Sequence, residues 1–393
     1  MDTTTEIVLP GPGNRWWAWP LAALGLIVLA VIAVASLLPA TIVAERYDER
    51  AEETRATPYA QVPASAESVN ERVVFGDLPD DVERHEPGGD FFFVTVSAPK
   101  QSMLSWFAGR DEPAVEFLTF EDKYGVRTPT QRREINLQAM RTAEQEAQYL
   151  ALTKAGYEAE ISQGEVVVSD VLCMIVADDG SCDEMFPSDE WIDPADKILE
   201  ADGAALESVE DLGAVLEQKQ PGDTVVLLID RPGEGEMTVT VELSGASDGS
   251  GRTIVGFRPF DTRVVTLPFE VDIETNRIGG PSAGLAFTLA LIDELTAGEL
   301  ACGNEIAVTG TISLDGSVGP IGGLAQKVSA VHQHGVSVFL VPAGQSELDD
   351  PEATQRLDDS GRGEVEIIPV ATLDEALGVL EELGCDPLVP IDS

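Results

Sequence analysis

An α/β body carrying a small β-rich unit, held behind a single N-terminal membrane helix, is the architecture this sequence predicts. Three observations lead there. Residues 16–38 run without a charged side chain over a length that crosses a bilayer. A strand signal, Phe91-Phe-Phe-Val-Thr-Val-Ser97, precedes helical spacing through Ile135, Leu137, Met140, Ala143, Ala147 and Leu150. Between residues 153 and 246, short alternating runs are punctuated by Pro and Gly, as in a small sheet. With 393 residues the chain has room for two or three cores.

A short tail, residues 1–15, leads into the span. Trp16, Trp17 and Trp19 crowd its entry, and indoles favour the membrane–water boundary. Arg15 stands alone before the span while Arg46 and Arg50 follow among acids, so charge counting orients it only weakly. A cleaved signal peptide is the alternative, with Ala33-Val-Ala35 as its small-residue site. The tail lacks net positive charge, and Leu37 and Leu38 prolong the apolar run, which favours a retained anchor. A buried soluble helix would show a polar face, and this segment has none.

Residues 39–90 come next; from 45 on they mix acids, Pro and Ala and read as a stalk with little core. The strand and helix within 91–152 either open the C-terminal body or form a small domain of their own. In 153–246, Ala195-Asp-Lys-Ile-Leu-Glu-Ala-Asp-Gly203 leads into a helix with apolar Val209, Leu212, Val215 and Leu216. A strand over Pro221–Asp230, a turn at Arg231-Pro-Gly-Glu-Gly235 and the alternating Met237–Leu243 follow. Ser247-Asp-Gly-Ser-Gly251 reads as a flexible exit.

The formal charge is -46, from 70 acidic and 24 basic residues, with no basic patch to hold nucleic acid. Such acidity reads as a solvated exterior. No Gly-x-x-x-x-Gly-Lys-Ser/Thr loop occurs, so no ATPase and no nucleotide cofactor are expected. Cys173, Cys182, Cys302 and Cys385 lack Cys-x-x-Cys spacing, and no metal site is expected. Their even count suits disulfides in an oxidising compartment, with three connectivities open and free thiols as the other reading. Cys173 with Cys182 would close a short loop, and Cys302 with Cys385 would tie two parts of the C-terminal body.

The chemistry concentrates in two motifs. Arg277-Ile-Gly-Gly-Pro-Ser-Ala-Gly-Leu285 sets Ser282 at the mouth of an apolar helix, behind Gly280 and Pro281. Gly322-Gly-Leu-Ala-Gln-Lys327 sets a lysine among Leu324, Val328 and Ala330. A serine nucleophile with a lysine base is a variant of triad chemistry that needs no histidine, and His85, His332 and His334 form no convincing triad. The base must be neutral; lowering its pKa from about 10.4 to roughly 7–8 takes about 3–5 kcal/mol, which apolar burial can supply. Taken singly, Ser282 could be a helix cap and Lys327 a solvated side chain.

These motifs resemble the proteolytic domain of the Lon family of serine–lysine peptidases. Gly-Pro-Ser-Ala-Gly around Ser282 matches the family's nucleophile motif. Val308-Thr-Gly-Thr-Ile-Ser-Leu-Asp-Gly-Ser-Val-Gly-Pro-Ile-Gly-Gly-Leu-Ala-Gln-Lys327 matches its lysine motif. The likeness runs over about residues 255–385, through Phe339-Leu-Val-Pro342 and a closing helix, Leu373 to Leu383. It implies catalytic roles for Ser282 and Lys327, a supporting role for Thr309, a short inner tail, an extracytoplasmic body and a homo-oligomer. Gly279 departs from the pattern, since many ATP-dependent members carry an acid there. The 153–246 unit is similar in order to a bacterial PDZ domain, which implies peptide capture at a sheet edge. That resemblance puts Gly156 and Tyr157 in a carboxylate-binding loop and Val166 and Val168 on an early groove strand. Cys173–Pro194 is longer and more acidic than the pattern, and a β-rich insert without a ligand is the alternative. The function implied is a membrane-anchored, ATP-independent serine endopeptidase for unfolded or extended polypeptides. A catalytically silent, membrane-tethered peptide-binding scaffold is the rival.

Overall fold

The computed structural model describes residues 18–48, 53–80, 82–125, 127–176, 182–246, 250–275 and 278–390. The tail 1–15, Trp16, Trp17, Arg277 and residues 247–249 of the exit segment lie outside them.

Helix α1 (Ala18–Leu37) carries no charge, is apolar on every face, and its 20 residues span about 30 Å, enough to cross a bilayer. Pro39 stops it. Helix α2 (Met103–Gly109) starts on a capping box between Ser102 and Ser105, and α3 (Phe120–Tyr124) on one between Thr119 and Asp122. Helix α4 (Pro129–Ala155) combines a Thr128–Gln131 box with Pro129 in its first turn. Gly156 ends it with φ 99°, a left-handed position that favours glycine.

The main sheet runs in the order Glu366–Val370, Val338–Pro342, Glu305–Val308, Asp90–Ser97, Tyr59–Ser68 and Glu116–Leu118. Its first three pairings are parallel and its last two antiparallel. Strand alternation divides its side chains between two cores. Phe91, Phe93, Ile306, Val308 and Leu340 enter one core, while Phe92, Val94, Ala307, Phe339 and Val341 enter the other. Both faces are therefore covered, as parallel strands require.

Here the sequence expectation needs correction. Tyr59–Ser68, expected in a stalk, lies inside this sheet beside Asp90–Ser97, and Val69 and Val73 are buried in the first core. The segment is hard to recognise because its buried strand positions include small side chains, Ala60 and Ala66, and because Pro63 sits at a register shift.

A second sheet holds Gly235–Glu242, Thr224–Arg231, Lys197–Ala201, Glu160–Val171 and Phe257–Thr266, all antiparallel. Helix α5 (Val209–Leu216), capped by Ser208, closes its core through Leu212. Phe257–Thr266, expected in the C-terminal body, is the outer strand of this sheet. Because Glu160 follows α4 and Thr266 leads back to Phe269 and Val271 of the first core, the second sheet is an excursion from the main body. Cys173–Val176 and Cys182–Met185 form a hairpin closed by a disulfide between Cys173 and Cys182. A second disulfide joins Cys302 to Cys385.

Candidate active site

Helix α6 (Gly284–Leu295) is buried along its whole length against α4 and the sheet. Its position fixes the segment just before it, which carries Ser282. Two glycines shape that segment for different reasons. Gly280 has φ 99°, a conformation disfavoured for other residues. Gly279 lies so close to α4 that an added Cβ would stand 3.0 Å from the Asn136 Cβ. The Gly280 N–H also donates to the Asn136 carbonyl at 2.7 Å. Further back, the Thr275 hydroxyl donates to Glu144, again on α4.

Helix α7 (Leu324–His334) delivers Lys327 from the other core. Gln345 braces the approach to it, accepting from Ile321 N–H at 2.9 Å and donating to the Ile321 carbonyl at 3.1 Å. Thr309 follows the central Glu305–Val308 strand, and its N–H donates to the Leu340 carbonyl at 2.9 Å. The main sheet thus carries Thr309 between the two helices that supply the serine and the lysine.

The three side chains meet. Lys327 Nζ lies 2.9 Å from Ser282 Oγ and 2.9 Å from Thr309 Oγ1. Thr309 donates its own hydroxyl to the Ser282 carbonyl at 3.1 Å. Lys327 is 2% exposed and Thr309 fully buried, whereas Ser282 is half-buried and reachable. Burial alone pulls the lysine pKa down to about 7, so near neutrality a large fraction is the free amine. A free amine accepts a proton, and a serine hydroxyl 2.9 Å away can give one.

The main chain around Ser282 is also pinned. Gly310 N–H donates to the Ser282 carbonyl at 2.9 Å, and Leu285 N–H to the Gly310 carbonyl at 3.2 Å. Gly310 has φ 152°, and a Cβ there would stand 2.6 Å from Val318. Gly284 is similarly close-packed, with Ile312 2.8 Å from the place of its Cβ.

The residues expected at a peptide groove are not at one. Val166 and Val168 are fully buried in the core of the second sheet, on a strand paired on both sides, and no ligand can add to it. Gly156 is the cap of α4, and the Tyr157 ring packs edge-on against Phe269 at 5.1 Å. One outer strand of the second sheet is Gly235–Glu242; the other is Phe257–Thr266. A cavity of about 830 Å³ lies beside it, lined by Phe257, Pro259, Leu212, Gly213 and Leu216 and bordered by Cys173. The PDZ resemblance put these valines on a groove strand, but an apolar run says only that a strand is buried, not which strand lies in the middle.

Asn136, Glu144, Gly310 and Gln345 were not singled out from sequence. For two of them a signal existed: Asn136 and Glu144 share helical spacing with the buried Met140, Ala143 and Ala147. Polar groups on an otherwise apolar stripe are bonded to something. Burial raises Glu144 to about 6, with the Thr275 hydrogen bond opposing the shift. Among the described residues no cluster of His, Cys, Asp and Glu could hold a metal ion.

Residues 276–382 match the family described as the Lon protease (S16) C-terminal proteolytic domain. The chain is 31% identical over 157 residues to Lon protease 1 of Sorangium cellulosum, covering 37% of this chain and 18% of that protein. It is 40% identical over 100 residues to the Lon protease of Trichlorobacter lovleyi, covering 25% and 11%. The chain thus spans less than a fifth of the length of these two relatives. Among solved structures, the PDZ domain of an SdrC-like protein from Listeria monocytogenes is 23% identical, covering 25% of this chain and 92% of that domain, with a TM-score of 0.20. The chain carries a Lon-type C-terminal proteolytic domain over residues 276–382.

Proposed function

We propose that this protein is a membrane-anchored serine endopeptidase that uses Ser282 as nucleophile and Lys327 as base, needs no ATP, and cuts polypeptides that are already extended. The observation that carries this reading is a buried amine held 2.9 Å from a reachable serine hydroxyl. Lys327 takes the Ser282 proton as Oγ attacks the peptide carbonyl carbon, then passes it to the departing amine. Water repeats the sequence on the acyl-enzyme. Gly284 and Leu285 spend their N–H groups on the Pro281 and Gly310 carbonyls, which leaves those of Ser282 and Ala283 for the oxyanion. Thr309 positions both partners, and Gly280 and Pro281 shape the turn that presents the serine.

A fluorophosphonate probe tests this directly. It should label Ser282, with a rate that rises as pH climbs and is half-maximal near 7, because the active base is the deprotonated amine. No labelling in the folded protein would favour the silent scaffold.

Helix α1 supports the anchor, with the catalytic body on the outer side where the disulfides would persist. No phosphate loop occurs in the chain, so substrates must arrive unfolded. Capture of a loose chain end is assigned to the Phe257–Thr266 outer strand and α5, which together border the cavity. Gly213 faces this cavity with nothing within 4 Å of an added Cβ. Gly213→Trp should therefore place an indole in the groove, raising KM for a long unfolded substrate roughly tenfold while sparing a short peptide. Steady-state kinetics on both substrates check this, and equal loss on both would make the unit structural.

A further inference from the structure

Helix α2 lies where the chain leaves α1. Met103 N–H donates to the Leu38 carbonyl at 2.9 Å, Ala40 N–H to the Gln101 carbonyl at 2.9 Å, and Pro39 bridges Ser102. Met103 also lines, with Val31, Val34 and Leu38, a cavity of about 400 Å³ along α1. The start of α2 is thereby fixed at the level of the last turns of the apolar span.

The side chains it presents there are unusual for a soluble, acidic surface. Phe107 is 60% exposed, and Leu104 and Trp106 are half-buried. Ile42 and Val43, on the short link after α1, are exposed as well. Arg110 lies over the Phe107 ring at 4.5 Å and near the Trp106 ring at 5.8 Å, with Asp111 3.3 Å away. Trp, apolar neighbours and a snorkelling cation are what the bilayer interface selects. The entry to the span has Trp19, whereas its exit, Ser36 to Val43, has no aromatic side chain of its own.

We propose that α2 docks on the bilayer interface, supplying the aromatic belt that the exit of α1 lacks and so fixing the tilt of the catalytic body. It rests on the reading of α1 as a retained anchor. The net charge of -46 disfavours attraction to anionic headgroups, so insertion of the exposed Phe107, beside Trp106 whose ring also meets Phe117 at 6.4 Å, must supply the contact. The occupant is therefore lipid at the acyl–headgroup boundary.

The experiment uses the full chain in phosphatidylcholine nanodiscs, with a nitroxide label at Phe107→Cys, at Val28→Cys on α1, or at Val226→Cys in the second sheet. Collision with oxygen relative to a water-soluble nickel chelate should be several-fold higher at positions 107 and 28 than at 226. A lipid-like ratio at 28 with a water-like ratio at 107 would overturn the docking and leave the anchor standing. Water-like ratios at both 28 and 107 would remove the anchor and the docking together. A label at 107 that neither reagent reaches would mean that protein, such as a second copy, covers the helix, and would also overturn the proposal.

Discussion

Lys327→Met should lower kcat/KM for an unfolded protein substrate by roughly 10⁴-fold or more while leaving the fold intact. Methionine is apolar and close in length, so it fills the buried channel that the lysine stem now occupies between α7 and the sheet. The substitution removes the one amine in reach of the serine and nothing else. Ser282→Ala should cost a similar factor, and the double variant should be little worse than either, since the two groups act as a unit. Stability should move the other way. A lysine held near pKa 7 when folded, and near its ordinary value when unfolded, binds fewer protons in the native state between those values. Its burial therefore costs stability at neutral pH, a cost that shrinks as pH rises toward the ordinary lysine range. The Lys327→Met protein should melt higher than wild type at pH 7, with the gap closing by pH 10. Additive losses in the double variant, or a folded Lys327→Met that retains activity, would sink the dyad.

That prediction was legible in the sequence because both halves of the site sit in contiguous motifs. Ser282 comes with its own turn and helix, and Lys327 with its own helix start. Groups that serve the site from a distance were not legible. Asn136 and Glu144 hold the loop before the serine from a helix more than a hundred residues upstream, and only the tertiary packing of α4 on α6 brings them there. The same limit explains the misread segments. Tyr59–Ser68 looks like a stalk because a central pairing partner, the Asp90–Ser97 strand, supplies the large side chains that it lacks. Val166 and Val168 look like a binding edge because local pattern gives strand identity but not strand order. The proposed groove borders Phe257–Thr266, a strand that the Lon resemblance had placed in the other body.

Cys302→Ser with Cys385→Ser should carry the second large effect, on stability. The bridge closes a loop of 83 residues, against 9 for Cys173 with Cys182. In the chain-entropy description the longer loop is worth about 4.5 kcal/mol and the shorter about 2.5, with real values commonly lower. What the long bridge holds is specific. Helix α9 (Leu373–Glu382) covers the first core through Leu373, Ala376, Leu377 and Leu380, and Cys385 is buried just past its end. Asp386 N–H adds one bond to the Glu299 carbonyl at 3.3 Å. Without the bridge, α9 can leave by fraying from the end, and the core beneath α6 opens with it. Melting in oxidising buffer should fall by roughly 5–12 °C for Cys302→Ser/Cys385→Ser, and by clearly less for Cys173→Ser/Cys182→Ser. Reductant in the wild-type chain should give at least the larger drop, since it opens both bridges, and add nothing in a variant lacking all four cysteines. Equal melting of the two double variants would show that α9 is held by its apolar face alone, leaving the disulfide no part in keeping the serine's helix packed.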